Sequence, residues 1–180
     1  MIAISLVTTS PATGTLILPV IKDGLSAAAL PGLSPENVTL LRSAGAAQRF
    51  EGDAGSVSDV FVVQDGGTRR VILGGAGKGT VEDFEKLGAA IVGRLLTSGE
   101  TEAVIDLSGL AIKPSAEAVA RLASAIALRG WRHDVYRTKL PEKQKPTLQN
   151  VSICGAPDGS ASAWDAARGV VEGVAFTREL

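Results

Sequence analysis

Arg70-Val71-Ile72-Leu73-Gly74-Gly75-Ala76-Gly77-Lys78-Gly79-Thr80, running on through Val81 to Thr97, decides the architecture. Arg70–Leu73 is a short, largely β-branched run and predicts a strand. Gly74–Thr80 reads as a glycine-rich turn. Thr80–Thr97 predicts a helix: Thr80 with Asp83 three residues on resembles a capping box, Glu82 and Asp83 complement the positive end, and Gly99 closes it. Phe84, Leu87, Ile91 and Leu95 recur at spacings of three and four, the stripe that a helix lays on a core. A strand feeding such a helix points to sheet and helix layers packed on each other.

Working back from this stretch, Val57–Val63 precedes the turn Gln64-Asp65-Gly66-Gly67. An Asp-Gly step between two β-branched runs predicts a hairpin, so Val57–Val63 and Arg70–Leu73 are expected to be antiparallel neighbours. Arg49–Ser56 is a polar connection. Ser34-Pro35-Glu36 predicts a helix start, with Ser34 as N-cap, Pro35 at the first helical position and Glu36 in the first turn. Val38, Leu41 and Ala44 face inward from that helix, and Gly45 leaves its end open. Thr15–Ile21, bracketed by Gly14 and Gly24, is a strand. Ile2, Ile4 and Leu6 alternate with Ala3 and Ser5, which suits a strand at the edge or beginning of a sheet.

Working forward, Ala103–Leu107 is nearly continuously apolar, the pattern of a strand covered on both faces. Ser115–Arg129 predicts a helix with Val119, Leu122 and Ile126 on one side and Gly130 just past its end. Trp131–Lys139 reads as a short strand with a basic exit, and Leu140–Thr147 as a charged, proline-flanked loop. Leu148–Cys154 is again a strand. Ser160–Phe176 is a last helix carrying Trp164, Ala167, Val171 and Val174 inward. The alternation of strand and helix predicts an α/β fold with a mixed, mainly parallel sheet and helices on both faces.

Composition excludes several classes. A length of 180 residues suits one domain, residues 1–180, with a core of its own. The formal charge of −1 provides no global basic field for nucleic acid or acidic membrane. One cysteine, Cys154, excludes an internal disulfide framework and a cysteine-based zinc site. The first residues carry no basic leading region, and neither Ile2–Val7 nor Leu16–Ile21 approaches the ~20 apolar residues of a membrane span. A cytoplasmic protein is expected, with no membrane contact.

Candidate chemistry is sparse. Gly75, Gly77, Lys78, Gly79 and Thr80 form an anion-site candidate, since backbone N–H groups, a helix N-terminus and a lysine would cradle a phosphate. The stricter patterns are missed: Ile72 stands where a P-loop needs glycine, Gly79 where it needs Ser or Thr, and Thr80 where a dinucleotide fingerprint needs its third glycine. The alternative role for these glycines is a sharp turn and close packing of helix on sheet. His133 is the only histidine and assembles no metal site alone. Cys154, in an apolar strand, reads as an inert buried thiol. Asp106, at a strand end, is placed where open α/β sheets bind ligands, yet without a second carboxylate it reads as a cap of the next turn. Arg129, Arg132, Arg137, Lys139, Lys143 and Lys145, against Asp134 and Glu142, make Arg129–Lys145 a local basic stretch, read either as a salt-sensitive nucleic-acid contact or as a solvated or protein-docking loop. No catalytic and no metal-ligating set is identified.

Taken in order, Val71-Ile72-Leu73-Gly74-Gly75-Ala76-Gly77-Lys78, then Trp131-Arg132-His133-Asp134-Val135-Tyr136-Arg137-Thr138-Lys139, then Gly169 and Gly173-Val174-Ala175-Phe176-Thr177-Arg178-Glu179-Leu180, resemble the N-terminal domain of leucyl aminopeptidases, the cytosol aminopeptidase family. The family more often has Gly-Leu-Gly-Lys where Gly75-Ala76-Gly77-Lys78 stands, and an aromatic where His133 stands. The resemblance implies a macro-domain-like, three-layer fold and a homohexameric cytoplasmic enzyme. It also implies two divalent metals, zinc or manganese, that activate water to remove N-terminal amino acids from peptides. The family's metal and catalytic residues lie in a C-terminal domain, so none is carried onto this chain, which is expected to be catalytically silent. The closing helix, about 160–180, has no terminal Gly or Pro, and is expected to lead into that catalytic domain. Two other readings stay open: a macro-like module binding ADP-ribose or another nucleotide through Gly74–Thr80, and a DNA or protein interaction module using Arg129–Lys145.

Overall fold

Six strands form one sheet in the computed structural model, which describes residues 1–132 and 139–179. In chain order the elements are β1 (Ala3–Val7), β2 (Thr15–Ile21), α1 (Pro35–Ala47), β3 (Val57–Gln64), β4 (Gly67–Gly77), α2 (Val81–Leu95), β5 (Glu102–Asp106), α3 (Ala116–Gly130), a single 3-10 turn at Glu142–Gln144, β6 (Asn150–Cys154) and α4 (Ser160–Glu179). The strand order is β1-β6-β5-β2-β4-β3, with every pair parallel except the β3–β4 hairpin. The expected mixed, mainly parallel sheet is therefore present.

Local chemistry accounts for most boundaries. Ser34 accepts the Asn37 backbone N–H at 3.3 Å, and Ser115 accepts that of Ala118 at 3.0 Å, each satisfying one of the unpaired donors of a first helical turn. Thr80 and Asp83 form the expected reciprocal capping box. Asp65 (φ 52°) and Gly66 (φ 77°) are both left-handed, the condition for a two-residue type I′ turn, and they bring Gln64 opposite Gly67.

Alternate residues of each central strand serve opposite cores. Leu16, Leu18 and Val20 of β2, with Val71 and Leu73 of β4, pack beneath Leu41 of α1 and Phe50. Ile17, Ile72, Ile105 and Ile153 point the other way, onto Phe84, Leu87 and Ile91 of α2, Leu122 and Ile126 of α3, and Trp164 and Val171 of α4. Helices on both faces make three layers. With an aromatic content of only 4%, these cores are built of aliphatic side chains whose burial drives folding.

Four expectations change. Gly74–Gly77 is strand rather than turn: β4 runs through Gly77 because β2 pairs with it as far as Ile21, and on its other side Ser56 and Gly52 accept the N–H groups of Gly75 and Gly77. Only Lys78 and Gly79 turn. Helix α1 passes through Gly45 to Ala47 and buries Leu41 and Gly45, leaving Val38 and Ala44 half-buried. A Cβ on Gly45 would lie 2.8 Å from a Leu25 methyl, so the glycine lets helix and loop touch. In α4, Ala175 is buried where Val174 was expected. Of the strand expected over Trp131–Lys139, residues 133–138 lie outside the described residues, and Trp131, Arg132 and Lys139 are not in a strand.

Candidate functional site

The glycines of β4 are packed to the limit. An added Cβ on Gly75 would sit 1.9 Å from the Asp53 carbonyl oxygen, on Gly77 2.8 Å from the Asp83 carboxylate, and on Gly79 1.8 Å from Ile112. Every backbone donor of the anion-site candidate is also in use. Gly75 and Gly77 donate to Ser56 and Gly52 at 2.8 and 2.9 Å, and Gly79 donates to Ala76 at 2.9 Å. Lys78 and Thr80 donate to the same oxygen of Asp83, at 2.9 and 3.3 Å. Burial works to raise the Asp83 carboxyl pKa, but these N–H donors outweigh it and hold the group below the usual carboxylate range. An anion entering here would have to displace a carboxylate that already occupies the cradle.

The carboxyl ends of the strands, where open α/β sheets place ligands, are bridged by loops in direct contact. A Cβ on Gly109 would meet the Ala29 carbonyl at 2.4 Å, and one on Gly155 would meet the Ser108 nitrogen at 2.6 Å. Asp106, 5% exposed, accepts the N–H and the hydroxyl of Ser108 at 3.0 and 2.6 Å, so it caps the turn after β5, as its sequence context suggests. Cys154, beside it on β6, is buried, and burial together with the Asp106 charge pushes its thiol pKa up.

One ionic cluster escaped the reading of the sequence. Asp59 of β3 accepts Nε of Arg70 at 3.0 and 3.2 Å and Nε of Arg94, from α2, at 2.8 Å; a second nitrogen of Arg70 also bonds it. The Asp59 and Arg70 side chains are 10% and 11% exposed, and the Arg70 guanidinium lies over the exposed Phe61 ring at 5.6 Å. Hairpin register sets Asp59 diagonal to Arg70, which was the available signal; Arg94 arrives only through packing of α2. The cluster pins helix to hairpin and is fully coordinated. In the basic stretch, Arg132 donates to the Gln144 carbonyl at 2.7 Å and Lys145 pairs with Glu142. His133, Asp134 and Arg137 lie outside the described residues.

Comparison with known proteins bears directly on this arrangement. The sequence model described as "Cytosol aminopeptidase family, N-terminal domain" matches residues 17–140. The chain is also 35% identical over 181 residues to a probable cytosol aminopeptidase of Rhodopseudomonas palustris (strain TIE-1), a match covering 95% of this chain. The chain belongs to the cytosol aminopeptidase family, N-terminal domain. It spans 35% of the length of that relative. The fold agrees with that of a tomato leucine aminopeptidase mutant, at TM-score 0.70 and 21% identity over 99% of this chain and 38% of that one. The bottromycin maturation enzyme BotP in complex with Mn gives TM-score 0.63 and 19% identity, over 93% and 31% of the two chains.

For a cytosol aminopeptidase N-terminal domain, the decisive chemical question is the metal centre that such peptidases use. That centre needs several converging carboxylates or imidazoles. Among the described residues no group of three or more His, Cys, Asp or Glu gathers, so their donor set does not fit it. What the N-terminal domain does present is a groove of about 460 Å³ between α3 and α4, lined by Ala120, Ser124, Leu128, Ala163, Ala167 and Val170. No helix among the described residues is long and apolar enough to cross a membrane.

Proposed function

We propose that this chain is the non-catalytic N-terminal domain of a leucyl aminopeptidase-like hydrolase, with a structural and assembly role toward a C-terminal catalytic portion. The observation that carries the reading is the family match, which assigns residues 17–140 to the N-terminal domain, together with a curated relative of which the chain spans 35%. The filled glycine cradle and the bridged strand ends support the same reading, because the surfaces that would bind a nucleotide are occupied by the protein's own groups. On this reading the catalytic portion supplies two divalent metals, zinc or manganese, for removing N-terminal amino acids from peptides. The assembled enzyme is a cytoplasmic homohexamer. The printed title of a BotP structure with Mn supports a metal-dependent enzyme for that neighbour, and by family likeness for this one.

Assay of the purified 180-residue chain on leucine amides, with Mn2+ or Zn2+ added, tests the proposal. No amino acid should be released, whereas the intact gene product that carries the chain should release it in a chelator-sensitive manner. Chelator-sensitive hydrolysis by the 180-residue chain itself, or an inert intact gene product, would refute it.

A further inference from the structure

Helix α4 is apolar on two opposite faces, and only one is covered. Trp164, Val171 and Ala175 fall on the face buried against α3 and the sheet. At helical spacing, Ala166, Gly169, Gly173 and Phe176 fall on the opposite face, all exposed, with Phe176 64% exposed. Asp165, Arg168 and Glu172 occupy a strip between the two faces and pair with one another at 3.8 and 3.6 Å. The outer face therefore carries no charge. A surface helix normally turns polar residues outward, and a helix apolar on all sides is a buried one.

The two glycines sharpen the argument. A Cβ on either would meet nothing within 4 Å, so nothing within the domain requires their smallness. Glycine weakens an exposed helix relative to alanine, so a pair with no internal role fits a surface that another backbone approaches closely. The outer face continues through Val170, 70% exposed, into the α3–α4 groove of about 460 Å³. Patches of exposed apolar residues rimmed by charges mark interaction surfaces.

We infer that the Gly169–Gly173 face of α4, flanked by Val170 and Phe176, is the docking surface for an uncharged apolar segment of the catalytic portion. This rests on the reading of the chain as an N-terminal domain. The occupant follows from that family assignment and from the relative's length. In a protein of which this domain spans 35%, the polypeptide continues from the end of α4, on the side of Phe176. The charge-free centre and self-paired rim call for an apolar rather than a charged counterpart.

Amide exchange across Ala166–Thr177, measured in the 180-residue chain and in the intact gene product, tests the inference. Exchange is expected to be about tenfold slower or more in the intact protein, because covered helices open less often. Gly169→Leu/Gly173→Leu should abolish that difference while leaving the melting temperature of the 180-residue chain unchanged or raised. Equal exchange in both proteins, or protection that survives the leucine variant, overturns the docking surface alone. Protection in the 180-residue chain that grows with its concentration and vanishes in the leucine variant assigns the face to a second copy, and also overturns it. An intact gene product without a catalytic portion overturns the underlying functional reading as well.

Discussion

The Asp83 carboxylate accepts the backbone N–H of Lys78 at 2.9 Å and that of Thr80 at 3.3 Å, so one side chain of α2 satisfies the turn that delivers the chain into that helix. Asp83→Ala should cost about 1 kcal/mol, the usual scale for a lost helix cap. Because the folded-state pKa of Asp83 is depressed, its contribution is fully present above the ordinary carboxylate pKa of about 4 and is lost as pH falls through the folded value. Urea unfolding of wild type and Asp83→Asn from pH 7 to pH 3 checks the sign: the stability difference should shrink as the solution is acidified. A calorimetric titration with ADP-ribose should show no heat, and Lys78→Ala should leave stability unaltered.

Gly75 and Gly169 should respond oppositely to one and the same chemical change. Gly75→Ala forces a Cβ to within 1.9 Å of backbone at Asp53, so strand and loop must separate, at a cost of about 3 kcal/mol or more. Gly169→Ala adds a methyl to open space on a helix and should stabilise the 180-residue chain by about 0.5–1 kcal/mol. Denaturation midpoints of the two variants decide the matter.

Asp59 holds two guanidinium groups. In Asp59→Ala, Arg70 keeps an 11% exposed side chain and loses its counter-charge, for which about 3–5 kcal/mol is the usual penalty. Arg94→Ala, at a half-exposed partner, should cost no more than about 1 kcal/mol. Burial opposes ionisation of Asp59, but the two arginines outweigh it and lower its pKa, so this stabilisation too disappears under acid. A double-mutant cycle on Asp59 and Arg70, read by urea unfolding, should return a coupling well above that of Asp59 and Arg94.

Cys154 should resist alkylation. Its thiol is buried and its pKa raised, so iodoacetamide at pH 8 should label it slowly in the folded chain and fully in urea. Rapid native labelling, followed by mass spectrometry, would show that the end of β6 opens readily.

What was readable along the chain was what acts within a few residues. Ser34, Thr80 and Ser115 satisfy N–H groups two or three positions away, and Asp65-Gly66 takes the left-handed turn that aligns β3 with β4, so caps and hairpin could be placed from spacing alone. Family membership was legible for a similar reason, being carried by contiguous motifs. Partners distant in sequence were not legible. Gly74–Gly77 looks like a turn until Ile21, Gly52 and Ser56 flank it, and Asp59 looks like a surface carboxylate until α2 delivers Arg94. Whether a glycine is a loop or a strand, and whether an N–H is free or taken, depends on which remote backbone packs against it. Sheet order and the seating of helices on the sheet decide that, through burial of aliphatic surface that no local pattern encodes.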